Sequence, residues 1–155
     1  MLATVIAVLG TLLGAVVAGV FQQRQAGRIA AAATTEQLRR ERLEAVTALA
    51  AAGSDHRRAM WMRGEAALTG AAPEQLEALR TASHATRSAI TRPLVAVQVL
   101  IPDPAVRAAA QNMVTAAYLM REAATTTDAL TIAREESRVA QDQFVSAAAA
   151  YLAPA

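Results

Sequence analysis

The longest apolar run in the chain lies near its beginning and covers residues 2–21. These twenty residues, LATVIAVLGTLLGAVVAGVF, contain no charged side chain. As a helix, a segment of this length spans about 30 Å, which matches the hydrocarbon core of a bilayer. The pattern therefore predicts a transmembrane anchor within residues 1–22. A cleaved secretory signal is disfavoured because no basic residue precedes the apolar run.

Basic residues follow the apolar run, and none precedes it. Arg24 and Arg28 lie shortly after its end, and positively charged flanks favour the cytoplasmic side of a membrane. We therefore expect a single-pass protein of the cell membrane, with its N-terminus outside and the rest of the chain in the cytoplasm. Both arginines are predicted to contact anionic lipid headgroups of the bilayer.

Small residues recur at every fourth position inside the apolar run. Gly10, Gly14 and Ala18 fall on one face of the predicted helix, and such a face lets two membrane helices pack closely. The spacing predicts helix–helix association through these residues, and with it a homodimer. The alternative is that an Ala- and Gly-rich segment produces the spacing by chance.

Beyond the anchor, a polar segment at residues 23–33 is interpreted as a juxtamembrane linker. From there, apolar residues recur at intervals of three and four, which is typical of amphipathic helices. The pattern predicts a helical bundle domain over residues 34–153, built from four helices. Turn and capping signals separate these helices: Thr69-Gly70 with Pro73, Pro102-Asp103-Pro104, and the Thr-rich residues 125–128.

Short connections between the predicted helices place consecutive helices side by side and antiparallel. The predicted fold is therefore all-α, with an N-terminal transmembrane helix followed by an antiparallel four-helix bundle. In the second bundle helix Pro93 removes one backbone donor, so a kink or a break is expected near Ile90. The residues predicted to form the packing seams include Leu49, Gly53, Met60 and Ala67; Ser83, Ile90 and Val97; Met113, Ala117 and Met120; and Leu130, Ser137 and Phe144.

The available side chains limit the chemistry. The chain has no Cys, which excludes disulfides and thiolate metal sites, and it has two His. It lacks the Glu-x-x-His pairs that di-iron bundles use, and the neighbours Asp55 and His56 diverge by about 100° on a helix. We therefore predict no catalytic residues, no metal ligands and no cofactor. His56, on the apolar side of its helix, is expected to be a hydrogen-bonded core residue.

The charge of the chain gives little support for a nucleic-acid partner. All fifteen basic residues are Arg, yet the formal net charge is only +2. The Arg clusters at residues 39–42 and 56–58 are short, interrupted or flanked by acidic residues, and without stacking aromatics. Binding of DNA or RNA is therefore disfavoured.

One segment, residues 56–63, differs in composition from the rest of the bundle. It contains the only Trp of the chain together with two Met, three Arg and a His. Trp61, Met62 and Arg58 are candidates for docking a protein partner, because such side chains dominate many interfaces. The alternative is that Trp61 packs inside the bundle.

Four stretches carry a resemblance to a known family. They are IAVLGTLLGAVVAGVFQQR at residues 6–24, ERLEAV at 41–46, HRRAMW at 56–61, and HATRSAIT at 84–91 followed by Pro93. Together they resemble the KilB-like small membrane proteins of actinobacteria, which are associated with the spread of conjugative plasmids. The resemblance implies a membrane-associated accessory role in the transfer of plasmid DNA between hyphal cells, and it carries over no catalytic residue.

Together these observations predict a non-enzymatic, single-pass, membrane-anchored adaptor or assembly protein that works by contact with a protein partner. The alternative is a dimeric membrane regulatory or sensory module that relays a conformational state through its bundle. The two hypotheses depend on different residues. A relay depends on association through Gly10 and Gly14, whereas an adaptor depends on Trp61 or Met62.

Overall fold

Four α-helices contain most of the residues in the computed structural model. The structure describes the backbone of residues 2–153 and the side chains of residue 25 and residues 32–153. The helices are α1 (Leu2–Leu68), α2 (Pro73–Leu100), α3 (Pro104–Ala123) and α4 (Thr127–Leu152). Within the described residues there is no strand, so the predicted all-α class is confirmed for this part of the chain.

The chain divides into two compact units, Met1–Arg39 and Arg40–Ala155. Helix α1 covers the range in which the sequence predicts an anchor, a linker and the first bundle helix. Those domain boundaries stay predictions. The side chains for which membrane roles are predicted lie outside the described residues: Gly10, Gly14, Ala18, Arg24 and Arg28.

Among the residues whose side chains the structure describes, no helical stretch combines the length and the apolar character that crossing a bilayer requires.

In the second unit, α1 packs antiparallel to α2. Near the start of this unit, Arg42 Nε donates to the carbonyl oxygen of Leu100, the last residue of α2, at 2.8 Å. Further along α1, Arg63 Nη1 donates to Ser83 Oγ, earlier in α2, at 3.2 Å. Because later residues of α1 meet earlier residues of α2, the two helices run in opposite directions.

Helix α4 lies against α1, also antiparallel. Arg57 of α1 donates to the side-chain oxygen of Gln141 in α4, and the Trp61 ring lies beneath the guanidinium of Arg134, which is earlier in α4. Helix α3 follows α2 and precedes α4 through links of three residues each, 101–103 and 124–126. The second unit is therefore the antiparallel bundle that the connections predict.

Two groups of buried side chains form the core of the bundle, and both draw on α1, α3 and α4. The predicted seams are largely confirmed, except that Ala66 is buried at the end of α1 while Ala67 is exposed. The larger group is centred on Leu49, Ile90, Val97, Met113, Val114 and Phe144, and the smaller one consists of Met60, Met120, Leu130 and Ala133.

Glycines allow close approach of α1 to its neighbours. A Cβ at Gly64 would lie 2.8 Å from Leu130 Cδ2 of α4, closer than two carbon atoms pack. A Cβ at Gly53 would lie 3.1 Å from Met113 Cε of α3. The sequence pattern places Gly53 on the packing face, whereas the contact of Gly64 with α4 was not predicted.

The helix ends follow the capping signals. Gly70 has a φ of +70°, and Ala71 N–H donates to the Ala66 carbonyl oxygen at 2.9 Å, which is the arrangement of a Schellman cap. Asp103 accepts from the N–H groups of Ala105 and Val106 at the start of α3. Thr126 caps α4 by accepting from an N–H in its first turn.

Helix α2 is continuous through Pro93, so the break allowed for near Ile90 does not occur. A proline inside a helix removes one hydrogen bond, but the helix survives when tertiary packing outweighs that loss. Ile90 and Val97, on either side of Pro93, are fully buried in the core. Their packing holds the two halves of α2 in one helix.

Candidate functional site

The predicted docking residues on α1 do not share one environment. Trp61 is half-buried against the smaller core group, and the Arg134 guanidinium lies 4.5 Å from the centre of its ring. Arg58 and Met62 are exposed, and 49% of Met62 is accessible. Successive helical residues are separated by about 100°, so Trp61 faces α4 while Arg58 and Met62 face outward. Their role in docking stays a prediction.

The most polar part of the core lies where α1, α2 and α3 meet. His56 of α1 is only 2% exposed. Its Nδ1 lies 3.0 Å from Thr86 Oγ1 of α2. Its ring meets the Tyr118 ring of α3 edge-on, with the ring centres 5.3 Å apart. The expectation of a hydrogen-bonded core histidine is therefore confirmed.

The hydrogen bonds around Thr86 determine the tautomer of His56. Thr86 Oγ1 is 3.1 Å from the carbonyl oxygen of Ser83 and donates its one hydrogen there. It must then accept from His56, so we assign the proton of the neutral imidazole to Nδ1. Burial, with a smaller contribution from the charge of Arg87, lowers the pKa of His56 to about 4. At neutral pH His56 is uncharged.

Arginine side chains from three helices surround the junction. The Arg87 guanidinium carbon stands 4.2 Å from the centre of the Tyr118 ring. Arg63 donates to Ser83 Oγ at 3.2 Å, and Ser83 Oγ donates to the carbonyl oxygen of Arg80 at 2.7 Å. Arg121 of α3 completes the group.

These side chains enclose a cavity of about 20 Å³. We call it the three-helix cavity. No carboxylate belongs to its described lining, which consists of His56, Met60, Arg63, Ser83, His84, Arg87, Tyr118 and Arg121. The cavity therefore offers positive charge and N–H donors. The sequence alone does not reveal this cluster, because Arg63, Arg87 and Arg121 lie in three different helices.

A larger, open groove of about 510 Å³ runs between α1 and α2. Pro93, Ala96 and Leu100 form part of its α2 wall, and Glu41 and Glu44 belong to its α1 wall. Among the described residues, no cluster of three or more His, Asp or Glu is suited to hold a metal ion.

The fold and the polar junction together define a small, all-α bundle protein. Residues 43–152 match the family model of the KilB plasmid transfer protein. The chain is also 53% identical over 150 residues to Protein KilB of Streptomyces lividans. This alignment covers 96% of this chain and 97% of the relative. The chain therefore belongs to the KilB plasmid transfer protein family, which confirms the resemblance seen in the sequence. No solved structure shows significant similarity to it.

Proposed function

We propose that this chain is a non-enzymatic accessory protein in the spread of conjugative plasmids. The main support is the match to the family model, which covers residues 43–152 and therefore almost the whole bundle. A relative with more than half of its residues identical bears the name KilB. Two of the buried polar side chains are used in packing: the His56 proton is donated to Thr86, and the Ser83 hydroxyl to a backbone carbonyl.

In this proposal the apolar run at residues 2–21 anchors the chain in the cell membrane, and Arg24 and Arg28 hold the bundle on the cytoplasmic side. The support is the uncharged length of the run and the position of both arginines after it. Anchoring would keep the bundle at the membrane that transferred plasmid DNA must cross.

The adaptor role is assigned to the outward face of α1 around Arg58 and Met62, with the edge of Trp61 beside it. Met62 combines a flexible apolar side chain with exposure, which suits a contact surface. Arg58, one helical turn before it, adds a charged donor to the same face. We assign this face to a protein partner of the transfer machinery.

The test is plasmid spread through mycelium that depends on this chain. Met62→Asp places a charge in the proposed contact and should reduce spread by about tenfold or more, as loss of an anchoring contact does. The variant chain should remain in the membrane fraction at wild-type abundance. Its bundle should resist protease added outside intact protoplasts.

Val145→Asp is the matched control, because Val145 is an α4 side chain of similar exposure, 44%. This control should leave plasmid spread unchanged. Equal loss of spread in both variants, or none in Met62→Asp, would contradict the assigned face. Recovery of the wild-type chain in the soluble fraction would contradict the anchor.

A further inference from the structure

We propose that the three-helix cavity binds a phosphate group. The first observation is a concentration of positive charge without its usual partner. Arg63, Arg87 and Arg121 line one small cavity, and in the part of the chain that the structure describes none of them forms an ion pair with a carboxylate. Elsewhere on α2 and α4, Arg80 and Arg138 do pair with acidic side chains.

The second observation is that two of these cations are held in place before any ligand arrives. Arg87 lies over the Tyr118 ring, and Arg63 is bonded to Ser83 Oγ, which is itself fixed to a carbonyl of its own helix. Each guanidinium has five N–H donors. The stacking of Arg87 uses none of them and the bond to Ser83 uses one, so most donors stay available to a ligand.

The third observation concerns the size of the three-helix cavity and the directions from which N–H donors reach it. A cavity of about 20 Å³ admits one water-sized group, so a single oxygen atom enters while the rest of the ligand stays at the mouth. Donors reach the cavity from three helices, and this arrangement fits a tetrahedral group with several charged oxygens better than a planar carboxylate. Guanidinium groups bind phosphate oxygens strongly because the donors are charged and rigidly arranged.

The imidazoles of His56 and His84 line the same cavity and provide a direct readout. A bound anion favours the protonated form of a nearby histidine. Phosphate binding should therefore shift the NMR signals of both rings and move the titration of buried His56 to higher pH. If the arginines had only a structural role, adding phosphate would cause neither change.

The experiment uses the full chain in phosphatidylcholine nanodiscs, titrated with inorganic phosphate at constant ionic strength. Saturable shifts of the His56 and His84 signals are expected. Arg87→Gln and Arg121→Gln should each weaken binding by about tenfold or more, as loss of a charged donor does. Arg87 and Arg121 are both exposed, but Arg87 also packs on Tyr118, so Arg121→Gln tests the site even if Arg87→Gln impairs folding.

Arg80→Gln is the matched control, because Arg80 is an exposed α2 arginine that pairs with Glu77 and is not part of the cavity lining. It should bind phosphate like the wild type. Shifts that do not saturate, that sodium chloride reproduces at equal ionic strength, or that Arg80→Gln weakens as much as Arg121→Gln, would overturn the proposal.

A second arm identifies the source of the phosphate group. Nanodiscs that contain phosphatidic acid present a terminal phosphate on a lipid. If they shift the His56 signals before phosphate is added, and Arg121→Gln removes that shift, the ligand is a lipid headgroup. If only dissolved inorganic phosphate causes the shift, the ligand is a soluble phosphate. Absence of an Arg121-dependent shift in both arms would overturn the site.

Discussion

His56 is buried in the core of the bundle and is uncharged at neutral pH. Its Nδ1 proton is donated to Thr86, and its ring packs edge-on against Tyr118. Burial disfavours the protonated form of His56, and the nearby charge of Arg87 adds to this effect, so the pKa of His56 is lowered. The residue thereby links the folding of the bundle to pH.

The free energy of unfolding should fall as the pH drops from about 6.5 towards 4. In this window the unfolded chain takes up a proton at His56, whereas the folded chain, in which the pKa of His56 is about 4, does not. The expected loss between pH 7 and pH 5 is about 2 kcal/mol. Urea unfolding followed by the fluorescence of Trp61 measures it.

His56→Gln should remove this part of the pH dependence, while exposed His84→Gln should retain it. Both variants are compared with the wild type at pH 7 and pH 5 under the same conditions. An unchanged pH dependence in His56→Gln would show that other groups are responsible.

At the scale of the helices, α1 is distinguished by two glycines on its packing face, Gly53 and Gly64. Glycine lowers helix propensity by about 1 kcal/mol relative to alanine. Gly64 nevertheless occurs where α1 lies close to Leu130, a fully buried side chain of α4. At Gly64 the benefit of close packing between α1 and α4 outweighs the loss of helix propensity.

Gly64→Ala should destabilise the bundle by about 1 to 2 kcal/mol, because overpacking costs more than the gain in helix propensity. Gly53→Ala should change stability by less than about 1 kcal/mol, since it meets the flexible end of Met113 at a longer distance. Urea unfolding of both variants provides the comparison. A Gly64→Ala chain that is more stable than the wild type would contradict the described contact.

Much of each helix could be predicted because its signals are local. Asp103 with Pro104 gave the start of α3, and Gly70 the end of α1. At Pro93 the sequence alone could not decide between a kink and a break, because it shows the missing donor but not the depth at which Ile90 and Val97 are buried. A local cost is visible in a sequence, whereas the packing that offsets it involves residues far along the chain.

At the scale of the whole molecule, the candidate site could not be predicted from the sequence. The arginines at positions 63, 87 and 121 meet only because three helices have particular rotations and registers. Periodicity shows which face of a helix is buried, but it does not show which residue of a neighbouring helix lies opposite. For the same reason the bond from Arg42 to the Leu100 carbonyl was not predicted.

The proposed adaptor and the alternative relay differ in their dependence on the membrane segment. For an adaptor, Gly14→Leu should leave plasmid spread at the wild-type level, because docking occurs on the bundle. A relay would lose both its dimer and its output, since a large side chain blocks close helix packing. In-cell crosslinking and plasmid spread are measured on the same strains. Ala15→Leu, off the small-residue face, is the control.

The pairing of α1 with α4 also determines where α4 ends relative to α1. The guanidinium carbon of Arg42 lies 5.6 Å from the centre of the Tyr151 ring, so the first and last turns of the bundle are side by side. A fluorescent protein or affinity handle joined behind α4 would thus emerge at the end of the bundle marked by Arg42. The link between α1 and α2 would stay clear at the opposite end.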